Sequence, residues 1–229
     1  MTSEAEVAPP SDDAIAAKLR GFGPLGILAM LAILAGNFVV APLGAILVLL
    51  WAWRSHTPWR EIGYVRPRSW AAGLAAGIGF GIAFKLLMKA LVMPLLGAPP
   101  INEAYHNVVG NTAALPGMVL AMIVVAGFGE ETVYRGYLFE RLGKLLGAGM
   151  WAKGSIVVLT SVLFGLAHYP EQGLAGTEQA MITGLVFGTI FAMTGRIWML
   201  MVAHAAFDLT ALAIIYGGLE SRVAHLIFQ

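Results

Sequence analysis

The chain has 229 residues, of which 59% are hydrophobic and only 12% charged, with a formal net charge of +1. Soluble domains carry about 25% charged residues, and apolar runs of about 18 or more read as membrane spans, so this composition excludes a soluble globular fold. It indicates an all-α, polytopic transmembrane helix bundle of about seven spans, without the short alternating strands of a membrane barrel. No basic cluster points to nucleic acid as a partner. With no cysteine in the chain, disulfides, thiolate metal sites and cysteine nucleophiles are excluded.

Residues 1–20 are acidic, contain proline and lack the leading positive charge of a cleaved signal, so they are expected to form a flexible cytosolic tail. Residues 21–217 read as a single bundle, and 218–229 as a C-terminal tail. The first apolar block, Phe22 to Trp53, would measure about 48 Å as one helix, against a hydrocarbon core of about 30 Å. Basic residues flank both of its ends (Lys18 and Arg20; Arg54, Arg60, Arg66 and Arg68). That favours a hairpin turning near Gly36-Asn37 over a single tilted helix.

Trp70 to Val92 makes the next span, followed by an external stretch to Leu115. Pro116 opens a helix that emerges near Arg141 and Lys144. Trp151 to His168 and Gln179 to Thr194 form two more spans, joined by an external loop over Tyr169 to Glu178, and Ile197 to Tyr216 forms the last. The basic loops then share one face, placed in the cytosol with the N-terminus. Lys85 and Lys89 lie off that face and read as snorkelling to the interface. The tryptophans, Trp51 among them, read as belt residues. Together these features predict a multi-pass membrane protein, and the Ala/Gly/Leu-rich composition points to a bacterial inner membrane.

Polar residues crowd into the second half, between about 116 and 216. Glu130 and Glu131 stand side by side in MVLAMIVVAGFGEETVYRGYLF, His168 lies in SVLFGLAHYP, and His204 and Asp208 lie in WMLMVAHAAFDLTAL. A charged group at a bilayer centre costs about 2.5–3.5 kcal/mol on insertion scales, so such groups face a protein interior and act there. Neighbouring helical residues point in different directions, whereas i and i+4 share a face. Glu131 is therefore expected to pair with Arg135, leaving Glu130 free for chemistry.

The same spacing places His204 with Asp208. Glu130, His168, His204 and Asp208 form an oxygen and nitrogen donor set suited to Zn2+, with Asp208 as a ligand or as an orienting group for His204. Without metal, Glu130 would act as general base, His168 would hold the attacking water, and His204 with Asp208 would stabilise an oxyanion. The residues leave both schemes open.

Three segments match a known pattern in order and spacing. GEETVYRG fits E-E-x-x-x-R, LFGLAH fits F-x-x-x-H, and HAAFD fits H-x-x-x-N/D. The chain thus resembles the CPBP intramembrane proteases, also called the Abi or type II CAAX endopeptidase family, and the basic loop WREIGYVRPRSW is also similar to members. The resemblance implies peptide-bond hydrolysis inside a membrane cavity, on a membrane-associated peptide or protein. Carried across, Glu130 and His168 activate the water, His204 and position 208 stabilise the tetrahedral intermediate, and Glu131 and Arg135 complete the first motif. The family is classed with the metalloproteases, and a metal-free glutamate mechanism is also proposed for it.

Position 208 departs from the usual asparagine, since an ionised aspartate would repel an oxyanion. Asp208 is then uncharged, or coordinates metal, or orients His204. Two other classes remain as readings of the same residues: a proton-coupled transporter using buried carboxylates, and a non-catalytic immunity or scaffold protein. The first calls for related halves, which the sequence does not show.

Overall fold

In lipid a chain must satisfy its backbone polar groups internally, and apolar runs rich in Ala, Leu, Val and Gly do so as helices. The computed structural model describes residues 11–39 and 42–228, and among them every regular element is helical. The helices are α1 (Ser11–Arg20), α2 (Pro24–Val39), α3 (Leu43–Arg54), α4 (Trp70–Leu95), α5 (Leu115–Leu146), α6 (Met150–Thr194), α7 (Trp198–Tyr216) and α8 (Glu220–Ala224).

Of these, α4, α5, α6 and α7 are long and apolar enough to cross a membrane. A fifth crossing results if Ala14–Arg20 and Pro24–Asn37, bent by 59°, count as one broken span. The expectation of about seven spans is therefore not established by helix length. The difference has two sources. First, α2 and α3 have 16 and 12 residues, which at about 1.5 Å per residue leaves both short of the hydrocarbon core. Second, α6 counts once although it doubles back on itself.

The reversal in α6 occurs at Gly173, whose φ of 61° and ψ of −159° only glycine adopts readily. The arms 150–172 and 174–194 lie antiparallel, with Gly165 against Met181 and Gly184 against Ser161. Two helices were expected here, but the connection is far tighter than a loop over Tyr169–Glu178, and Pro170 belongs to the first arm.

The first apolar block is a helical pair, and the single tilted helix is excluded. Its break falls between Val39 and Leu43, beyond the expected Gly36-Asn37, and Gly44 abuts Asn37 across it. Residues 1–10 of the expected tail lie outside the described residues. Residues 11–20 are helical and anchored, because Leu19 O accepts from Trp51 Nε1 at 3.0 Å and Arg20 O from Arg141 Nη1 at 2.7 Å. Trp51 is therefore a core residue rather than a belt residue, set edge-on to Tyr137 at 4.9 Å. Arg141 does not emerge either. It is fully buried, ion-paired with Glu140 and stacked over the Trp51 and Phe22 rings.

α7 is the central element. It runs parallel to α4, and Gly81 allows that contact, because a Cβ there would lie 2.2 Å from Ala203 O. On another side α5 approaches through Gly127, next to Met201 O and Ala205. α5 is widened over Ala121–Glu130 and Thr132–Tyr137 into π-helical turns, a form that concentrates at functional sites. The two acidic residues sit where these turns meet. One apolar cluster (Trp51, Tyr134, Tyr137, Phe164) and a second (Phe84, Phe187, Leu200, Phe207) enclose this level of the bundle.

Candidate active site

The widened turns of α5 divide the adjacent glutamates as the sequence suggested. The Glu131 side chain is 0% exposed and the Glu130 side chain 21% exposed. Glu131 Oε1 accepts from Arg135 Nη1 at 2.8 Å and from His204 Nδ1 at 2.8 Å. The Arg135 guanidinium lies 4.7 Å from the Phe164 ring centre and 5.6 Å from that of Phe187, so the pair is sealed under aromatic faces. Glu130 turns the other way, into a cavity of about 830 Å³, and its Oε2 has no hydrogen-bond partner.

His204 is held from both ends. With Nδ1 committed to Glu131, Nε2 faces Glu130 Oε2 at 3.7 Å and Asp208 Oδ2 at 3.6 Å, both beyond hydrogen-bond length. Its ring packs between Phe164 and Phe187, at 5.9 and 5.6 Å. Asp208, one turn along α7, also lines the cavity.

His168 reaches the same cavity from α6. Its Nδ1 donates to Phe164 O at 2.8 Å, which leaves Nε2 as a lone-pair acceptor. Phe164 contacts the rings of both histidines, so His168 stands one turn beyond the His204 level, as Asp208 does. The Phe164 ring, on the first arm of α6, thus connects the two imidazoles.

The proposed metal set fits only in part. The donor chemistry suits zinc, and each histidine has its other ring nitrogen anchored, as metal ligands commonly do. Among the described residues, however, no three His, Asp or Glu side chains converge as a metal ion requires.

Several wall residues were not anticipated. Lys85 does not snorkel. It is buried, it lines the cavity, and it donates to Gln179 Oε1 at 2.9 Å. Lys89 is held too, by Pro100 O at 2.6 Å and by Glu220 at 3.2 Å. Glu220, expected in a tail, is buried on α8 and also accepts from the Asn102 amide. At the mouth, Tyr105 OH accepts from Gln172 Nε2 at 3.2 Å. Burial, with the Glu171 charge adding to it, pushes the Tyr105 hydroxyl up to about 12, so it stays protonated. The one signal for Lys85 was its place inside the Gly-rich run GIGFGIAFKLLMKAL.

This assembly of side chains coincides with the segment that other proteins share. Residues 112–210 match the family model described as Rce1-like, type II CAAX prenyl endopeptidase. That segment is similar to the Rce1-like family. The Rce1-like segment holds α5, α6 and most of α7, and with them Glu130, Glu131, Arg135, His168, His204 and Asp208. The helices α1 to α4, and Lys85 with them, lie outside it. No curated protein and no solved structure matches the chain.

Proposed function

We propose that this membrane protein is an endopeptidase, hydrolysing peptide bonds of membrane-associated peptides or proteins with a water activated by Glu130. One observation carries the reading: of two adjacent carboxylates, one is buried and locked to Arg135 and His204, while the other is half-buried and faces a large cavity without a hydrogen bond. A purely structural pair would have no use for that asymmetry.

In this scheme a water donates one hydrogen to Glu130 and the other to His168 Nε2. Glu130 takes its proton as the oxygen attacks the scissile carbonyl. The new oxyanion is met by Nε2–H of His204 in its imidazolium form, oriented through Nδ1 by Glu131. Glu130 then passes the proton to the leaving amine, which closes the cycle. Asp208, beside Nε2, orients His204 and does not itself donate to the oxyanion. Glu131 and Arg135 position His204 without touching substrate. Zinc held by Glu130, His168, His204 and Asp208 is the alternative use of the same donors.

The family description points to prenylated Cys-a-a-X peptides as the first substrate to try. Purified protein in liposomes should cleave such a peptide, and Glu130→Gln should lose roughly 10²–10⁴-fold in kcat, the usual worth of a general base. Metal content and chelator sensitivity, measured on the same samples, separate the zinc scheme from the glutamate scheme. Wild-type-like cleavage by Glu130→Gln would remove the proposal. Retained function in every motif mutant would instead favour the scaffold reading.

A further inference from the structure

We infer that Lys85 is a substrate-binding residue, seating the C-terminal carboxylate of the peptide whose bond is cut beside Glu130. The inference rests on the proteolytic reading above and assigns a role to a helix outside the Rce1-like segment.

Lys85 is 7% exposed on α4 and lines the cavity. An ammonium has three N–H donors. One goes to Gln179 Oε1 at 2.9 Å, and the ammonium also lies over the face of Phe207, 4.7 Å from the ring centre. Among the described residues Lys85 forms no ion pair. Lys89, one turn on, is matched with Glu220 at 3.2 Å. A buried charge that lacks an anion is costly, so the contrast between these two lysines marks Lys85 as waiting for a ligand.

The rest of the cavity narrows the choice of ligand. Its other walls carry Glu130, Asp208, Glu171 and Glu220, which repel an anion; of the cationic groups there, Lys89 is matched with Glu220 and His204 with Glu131, so Lys85 is where an anionic terminus can settle. Its height in the bundle fits. Gly81 touches Ala203 and Phe207, so Lys85 lies about one turn, some 5–6 Å, beyond that level along the parallel α4 and α7. An extended peptide advances about 3.3 Å per residue, so a carboxylate at Lys85 ends a chain roughly two residues past a carbonyl held at His204.

The test compares a prenylated Cys-a-a-X peptide bearing a free carboxylate with the same peptide as its C-terminal amide. Wild type should prefer the acid by roughly 10- to 100-fold in kcat/KM, the worth of a charged hydrogen bond. That ratio should fall toward one in Lys85→Gln and recover in Lys85→Arg. A wild-type ratio near one, or an unchanged ratio in folded Lys85→Gln, overturns the assignment. Should Lys85→Gln fail to fold, inhibition of wild type by the released tripeptide acid, compared with its amide, decides.

If wild type cleaves neither peptide, the endopeptidase reading has failed separately. Calorimetry of the tripeptide acid and amide with wild-type protein in detergent then judges Lys85 alone, and equal affinity overturns the inference. Oleate that binds wild type and is not displaced by the tripeptide acid would assign the lysine to a lipid carboxylate, and would also overturn it.

Discussion

Glu130 and Glu131 differ by one position in sequence and by almost everything in environment. Glu131 receives two hydrogen bonds under a cover of phenylalanine rings, and removing one partner leaves the other charge buried alone. Such losses typically cost about 3–5 kcal/mol. Arg135→Ala should therefore lower the thermal unfolding midpoint in detergent and abolish activity with it. Glu130→Gln should leave the midpoint near wild type while activity goes. If both variants unfolded equally early, the division of labour between the two glutamates would be wrong. Asp208 allows a finer test of the same kind. An asparagine there keeps an oxygen beside His204 and can also donate to an oxyanion, so Asp208→Asn should stay within about tenfold of wild type in kcat/KM. Asp208→Ala should lose more, because it leaves His204 Nε2 without that neighbour. Equal losses in the two variants would deny Asp208 its orienting role.

At the level of elements, helix spacing alone made much of the site readable. The i to i+4 rule joined Glu131 to Arg135 and His204 to Asp208, and both pairs lie in contact. The rule says nothing about which helices meet. That Glu131 would reach His204 across 73 residues depends on α7 nesting between α4 and α5, and such nesting is written in small residues rather than in polar ones. Nor could a local rule foresee the widened turns of α5, or Trp51 and Arg141 turning inward to pin α1. Lys85 was misread because a lysine near a helix end usually reaches outward, and here Gln179 on a neighbouring arm holds it. Gly81 makes the packing argument testable. A Val side chain there must displace the backbone at Ala203, and overpacking of that kind costs about 1–3 kcal/mol. Gly81→Val should thus lower thermal stability and reduce kcat, because His204 is the residue next to the displaced carbonyl. Unchanged kcat in a destabilised Gly81→Val would show that His204 is held by Glu131 alone.

Across the whole molecule the charges and the cavity point to opposite ends. Lys144 pairs with Glu61 at 3.4 Å, and Ile197 N bonds Gly63 O at 3.0 Å, so the basic loop after α3, the end of α5 and the start of α7 share one face. The cavity is bounded instead by Pro94 to Tyr105, by Glu171 and Gln172 near the α6 reversal, and by α8. If basic flanks stay in the cytosol, substrate reaches Glu130 from the other leaflet or from the space beyond it. The chain contains no cysteine, so single replacements give an unambiguous label. Glu103→Cys, exposed by the mouth, should react with a membrane-impermeant maleimide on intact cells. Lys144→Cys, exposed on the basic face, should react only after permeabilisation. The reverse pattern would turn the mouth toward the cytosol and overrule the charge argument, leaving the geometry around Glu130 untouched. A cytosolic mouth would favour substrates made and modified inside the cell, whereas an outward mouth would favour peptides that arrive by export or from other cells. The labelling result therefore selects which peptides to try against the purified protein.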